Sequence, residues 1–207
     1  MRLLIACICL LALGLGGVPA IAQQDLYDNG PTDGQDMAWT INFGFLISDS
    51  FTLANAATVN GLTFAAWLVP GDVLETAEVS ITSNEAGGTT YFDQTVGFTA
   101  SGCFTNTTGF NVCAESGSFP GVPLNAGTYW LNLQNAVVNT GDPVYWDQNG
   151  GPSDSSGSSI GSLPSESFTI LGSSNTGTGT TPEPSSLLLF ASGIAGVFGV
   201  MRRKSKS

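Results

Sequence analysis

The side chains able to do chemistry in this chain are almost all carboxylates. There are 16 Asp and Glu against five Lys and Arg, and no His. The basic residues are Arg2, Arg202, Arg203, Lys204 and Lys206, so nothing between Arg2 and Arg202 is positively charged. Ser-His-Asp and Cys-His catalysis need an imidazole or an equivalent base, which that stretch lacks. Zinc sites need His or clustered Cys. A phosphate-cradling Gly-x-x-x-x-Gly-Lys loop is missing. With no Arg or Lys to hold phosphates, nucleic-acid binding is excluded. Two-carboxylate glycoside hydrolysis remains chemically open. Its candidates, Glu75, Glu78, Asp93 and Glu115, are scattered and carry no motif. They read as solvated acidic faces, and the expectation is a protein that is not an enzyme.

Calcium is the one cofactor the composition permits. Asp28, Asn29, Asp33 and Asp36 lie close together in a Gly-containing segment. Hard oxygen ligands in a pliant loop are what Ca²⁺ takes, which makes Asp28, Asp33 and Asp36 the candidate ligands. The spacing departs from an EF-hand loop and no bidentate Glu closes it. The alternative is an ordinary polar lead-in segment. Trp67, Trp130 and Trp146 offer either core packing or a sugar-stacking platform. Trp130 alternates with Tyr129 and Leu131 and shares its face with Asn132 and Gln134. That mixed face makes Trp130 the ligand-binding candidate, with exopolysaccharide as the ligand class.

The elements that must position these residues are strands. Ala77, Val79 and Ile81 alternate with Glu78, Ser80 and Thr82, and Leu62, Phe64, Ala66 and Leu68 share a face. Trp39, Ile41 and Phe43 form another apolar row, and Phe51–Leu53 a short strand after an expected turn at Ser48-Asp49-Ser50. Thr90–Phe98, Val112–Ala114, Thr128–Gln134, Val144–Trp146 and Phe168–Ile170 continue the series. Turns are expected at Asn60-Gly61, Pro70-Gly71-Asp72 and Gly87-Gly88, and loops at 117–127 and 149–164. No stretch has convincing helical periodicity. The expectation is an all-β fold, a two-sheet antiparallel sandwich, jelly-roll-like, spanning 23–171. An immunoglobulin-like sandwich is second, because Cys103 and Cys113 are too close for its inter-sheet bridge.

Targeting segments flank that domain. Arg2, the apolar run Leu3–Val18 and Ala20-Ile21-Ala22 make a signal peptide over 1–22. Leu4-Ile5-Ala6-Cys7 has the form of a lipoprotein box, but too few residues precede Cys7 to make a hydrophobic region. Export exposes Cys103 and Cys113 to an oxidising compartment, so a disulfide between them is expected. A Gly/Ser/Thr linker covers 172–181. Pro182-Glu183-Pro184 follows, then an uncharged apolar run over 185–201, then Arg202, Arg203 and Lys204. As a helix the run would reach roughly 25 Å, a short transmembrane span with its basic end in the cytoplasm.

This order of parts over 182–207 resembles the PEP-CTERM sorting signal. The resemblance implies an exosortase as partner, which processes the protein near the tripeptide, and an exopolysaccharide-producing bacterium with two membranes as host. The implied route is export, membrane anchoring, then the cell surface or extracellular matrix. The resemblance does not reach the folded part, for which the leading expectation is a non-enzymatic structural or adhesive role in that matrix. A calcium-dependent carbohydrate-binding module of the same matrix is the alternative, and a glycosidase a distant third. The segments Leu26–Pro31, Ser48–Phe51 and Ala126–Leu131 look like bacterial surface domains that precede such anchors, and no activity comes with that likeness.

Replacing Pro182-Glu183-Pro184 by three alanines should leave export intact and block processing. Immunoblots of membrane and medium fractions should show full-length protein accumulating in the membrane. Equal amounts of processed product from both forms would refute the assignment.

Overall fold

Strands form here because β-branched and aromatic residues alternate with polar ones between Gly, Pro and Asn turns. The computed structural model describes residues 23–35 and 37–174. The chain divides into two units, Met1–Ser174 and Asn175–Ser207, and the described residues all belong to the first. The signal peptide, Asp36, the sorting tripeptide, the apolar run and the basic tail lie outside the described residues.

The described residues hold β1 (Gln24–Asp28), β2 (Ala38–Thr40), β3 (Leu46–Leu53), β4 (Ala57–Leu68), β5 (Leu74–Asn84) and β6 (Gly87–Thr105). They continue with β7 (Asn111–Leu124), β8 (Gly127–Val138), β9 (Tyr145–Asp147), β10 (Ser155–Gly157), β11 (Gly161–Leu163) and β12 (Phe168–Ser174). There is no helix among them. The strands form a curled antiparallel sheet in the order β1-β12-β4-β7-β6-β5-β8-β3-β10-β11, with β9 on β4 and β2 on β9. The all-β class expected from the sequence is therefore present.

The curl turns on β6. Its first half pairs β5 as far as Gly97↔Thr76, and its second half pairs β7 from Phe98↔Gly117. Gly117 permits the close approach: a Cβ there would lie 2.7 Å from the Phe98 ring and 2.8 Å from Val96. The apolar rows of β3, β4, β5, β8 and β12 meet inside the curl. Phe51, Phe64, Leu62, Leu131, Leu133, Trp146 and Phe168 are buried there. Each contributes about 1.5–3 kcal/mol by leaving water. Trp146 lies edge-on to Phe64 and Phe168, and its indole N–H donates to the Ser167 carbonyl at 2.9 Å.

Several expected boundaries move. Ser48-Asp49-Ser50 is not a turn; it lies within β3, paired to β8 and β10. Asn60 is not a turn either but a bulge in β4 opposite β7, so the strand runs straight through. The row Trp39, Ile41, Phe43 breaks after Thr40. Phe43 turns to φ 56° and is 64% exposed, with Phe45 N–H donating to the Asn42 carbonyl. The expected loop at 117–127 is largely the end of β7, and the expected loop at 149–164 contains β10 and β11. β12 runs to Ser174, pairing Gly172–Ser174 with Val59–Ala57, so the first three residues of the expected linker are strand.

Cys103 and Cys113 are joined by a disulfide across the β6–β7 hairpin. Ser101 pairs Ala114 and Phe104 pairs Val112, so Gly102 and Cys103 together face Cys113 in a bulge. Gly102 takes φ 59°, which favours glycine. The Asn106 carboxamide oxygen closes the tip, accepting from the amides of Thr108 and Phe110.

Replacing both cysteines by Ser should lower unfolding free energy by about 2–3 kcal/mol, the chain-entropy value of so short a loop. Denaturant titration checks this, and non-reducing peptide mapping should recover the Cys103–Cys113 pair. Two free thiols in freshly exported protein would refute it.

Candidate functional site

Alternation decides which acids enter the core. In β3, Ile47, Asp49, Phe51 and Leu53 share the inward face, so Asp49 occupies a core position. Glu166 likewise precedes Phe168 and Ile170 in the inward row leading into β12. Glu115 follows Cys113 on the inward face of β7. Asp147 ends β9 on the opposite face from Trp146, with Trp67. All four have no solvent exposure.

Asp49 and Glu166 sit together. Asp49 Oδ2 accepts from the Glu166 amide at 2.6 Å and from Asn29 Nδ2 at 3.4 Å. Glu166 Oε1 accepts from the Ser155 hydroxyl at 3.3 Å. Asp49 Oδ1 and Glu166 Oε2 have no partner. Two distant segments hold this arrangement. Asn29 follows β1 and donates its backbone N–H to the Phe168 carbonyl. Asn149 donates its side-chain amide to the Asn29 carbonyl at 2.8 Å, and its carbonyl oxygen accepts from Ser165. Gln148 bridges Glu166 beside the end of β9.

The electrostatics follow from burial in a domain without cations. Burial pushes the Glu166 carboxyl up to about 9, with the Asp49 charge next and the Ser155 hydroxyl opposing. Burial pushes Asp49 up to about 7, opposed by the nearby polar hydrogens of Ser153, Glu166 and Ser50. Asp147 rises to about 6, also from burial. It is held lower by the Trp67 indole (2.5 Å) and the amides of Asp33 and Gly34 (3.2 Å each). Glu115 rises to about 7 by burial alone, and neither of its oxygens has a partner.

The residues singled out from sequence fall elsewhere. Asp28 is exposed, and its Oδ1 accepts from the Gly30 amide at 3.0 Å. Asp33 Oδ1 accepts from the Gln35 amide at 2.8 Å. Each carboxylate thus closes its own turn, and Asp36 lies outside the described residues. Among the described residues no three Asp, Glu or Cys side chains converge. Trp130 is half-buried on the outward face of β8, beside a buried Asn132 that bonds Ser80 and Thr82. Trp67 and Trp146 are buried. Glu115, grouped with solvated acids by sequence reasoning, is fully buried. Glu75 and Asp93 are exposed and Glu78 is half-buried, bonded to Gln134 and Asn135. Asp49, Asp147 and Glu166 were not foreseen. The available signal was the alternation Ile47-x-Asp49-x-Phe51, which puts a carboxylate in a core row.

A concavity of about 320 Å³ lies on the outward side of β4 and β9. It is lined by Trp67, Phe110, Tyr145, Met37, Gln35, Ala38 and Thr108.

A family model for the PEP-CTERM protein-sorting motif matches residues 180–204. The chain therefore carries the sorting domain expected from Pro182-Glu183-Pro184 and the basic tail, the mark of an exported protein processed by an exosortase. A search of curated proteins returned no match to the chain.

Glu115 sets a pH dependence of known sign. Its folded pKa stands above the ordinary Glu value, so the folded state holds the extra proton. Stability from this group is full below about 4.5 and is lost as pH rises to about 7. The loss is about 3 kcal/mol. Glu115→Gln should flatten that part of the stability–pH curve and unfold later than the parent at pH 8. A parallel pair of curves, by chemical denaturation from pH 4 to 8, would refute the assignment.

Proposed function

We propose that this PEP-CTERM sorting-domain protein is a non-enzymatic component of the cell surface or extracellular matrix, structural or adhesive in role. The observation that carries the reading is the sorting motif at 180–204. It is joined to an acidic β-domain whose perturbed carboxylates are all out of reach of a polymer. Asp49, Glu115, Asp147 and Glu166 have the raised proton affinities that acid–base catalysis uses, yet none touches solvent. The curl is read as a jelly-roll-like sandwich, with β6 passing from one layer to the other. The apolar run at 185–201 is read as a transient membrane anchor, and the matrix exopolysaccharide as the surrounding medium.

A second reading, a carbohydrate-binding module in the same matrix, is favoured by the aromatic concavity of Trp67, Phe110 and Tyr145. Aromatic faces at the wall of an open groove suit sugar rings. Trp130, on the outward face of β8, is the other stacking surface.

The experiment is binding of the exported protein to exopolysaccharide from the producing cells and to a glycan array. The structural reading expects no saturable binding to any glycan, with matrix cohesion weakened when the gene is deleted. Saturable binding reduced at least tenfold by Tyr145→Ala or Trp130→Ala would replace it with the module.

A further inference from the structure

We propose that Asp49 and Glu166 form an internal site for a hard divalent cation, Ca²⁺ by preference, completed by neutral oxygens of the surrounding serines and backbone. This site is distinct from the exposed Asp28 and the half-buried Asp33 and does not depend on the matrix role.

The first ground is two carboxylate oxygens with nothing to bind. Asp49 Oδ1 and Glu166 Oε2 are enclosed and unpartnered, on side chains with no solvent exposure. A buried carboxylate without a counter-charge or hydrogen bonds is among the costliest arrangements in a fold. The second ground is an excess of oxygens over protons. Asn29 Nδ2 has two hydrogens for four oxygens: Ser153 Oγ, Ser165 Oγ and the Glu166 carbonyl at 2.6 Å each, and Asp49 Oδ2 at 3.4 Å. The single hydroxyl proton of Ser155 serves both the Ser48 carbonyl at 3.0 Å and Glu166 Oε1 at 3.3 Å. Dense, donor-poor oxygen is the environment a hard cation takes. The third ground is charge. Between Arg2 and Arg202 there is no basic side chain, so no residue of the domain can neutralise this pair.

Ca²⁺ fits better than Mg²⁺. It accepts mixed carboxylate, carbonyl and hydroxyl oxygens in irregular geometry, whereas Mg²⁺ demands a near-ideal octahedron and retains water. Two carboxylates balance its charge. The pair is closed off by β10 and the 149–166 segment, so the ion enters as the chain closes. The site also brings together parts far apart in sequence, Asn29, Asp49 and Glu166, and so would fasten β1 and β3 to the approach to β12.

The test uses the full-length chain in detergent, refolded under oxidising conditions in chelator or in millimolar Ca²⁺ at matched ionic strength. The Ca²⁺ form should melt several degrees higher, and native mass spectrometry should find one ion per chain. Tb³⁺ in place of Ca²⁺ should show luminescence sensitised by Tyr27, whose hydroxyl bonds Asn29 at 2.7 Å. Glu166→Gln and Asp49→Asn should each weaken Ca²⁺ binding at least tenfold, while the Asp28→Asn/Asp33→Asn double variant should bind as the parent does. Identical melting in chelator and Ca²⁺ with no bound ion would overturn the proposal in favour of a protonated carboxyl pair, and needs no variant. Binding lost in the double variant and kept in Glu166→Gln would overturn it in favour of the exposed loop.

Discussion

The constraint on which the rest of this structure depends is that the described residues offer no lysine, arginine or histidine to pair with a carboxylate inside them. Leaving an isolated ionised carboxylate in an apolar interior costs more than a typical domain's whole folding free energy, about 5–15 kcal/mol. The fold answers this differently at each buried acid. Asp147 is surrounded by donors, an indole and two loop amides, and through them fixes the segment at Asp33 and Gly34 against β9. Asp49 receives a backbone amide and a carboxamide yet keeps one bare oxygen. Glu115 receives nothing and depends on a proton.

The architecture makes these answers possible. Because β6 serves both arms of the curl, the apolar rows of β4 and β12 face those of β3, β5 and β8 without a separate linker. The edge beyond β3 is closed by β10 and β11, built almost wholly from Ser and Gly. Larger side chains there would fill the space around Asp49 and Glu166 with hydrocarbon. Serines fill it with hydroxyls, each able to donate one hydrogen bond and to accept up to two.

Where polar and apolar residues alternate cleanly, the strands could be read directly. β5 and β8 present Ala77, Val79, Ile81 and Tyr129, Leu131, Leu133 inward, as their periodicity demanded. The tail was equally legible, because its chemistry lies in consecutive residues. The buried acids were obscured by local signals that tertiary context overrode. Ser-Asp-Ser has strong turn chemistry, yet pairing to β8 and β10 holds it extended. The Ser/Gly-rich stretch 149–164 has the composition of a loop, yet it gains order from hydrogen bonds to Asn29, Ser48 and Ser50. Asn29, Asp49 and Glu166 are brought together by long-range pairing, which no single window of sequence contains.

The last described strand is not an edge strand. β12 lies between β1 and β4, with pairs from Phe168↔Phe64 to Ser174↔Ala57 on one side and from Gln24↔Gly172 to Asp28↔Thr169 on the other. Tension transmitted through Ser174 therefore meets two hydrogen-bonded ladders rather than one. Its resistance rests on shearing both, with the Phe168 and Ile170 side chains withdrawn from the core at the same time. The chain thus leaves the described domain from a strand held on both sides, so a load applied at Ser174 is shared between β1 and β4.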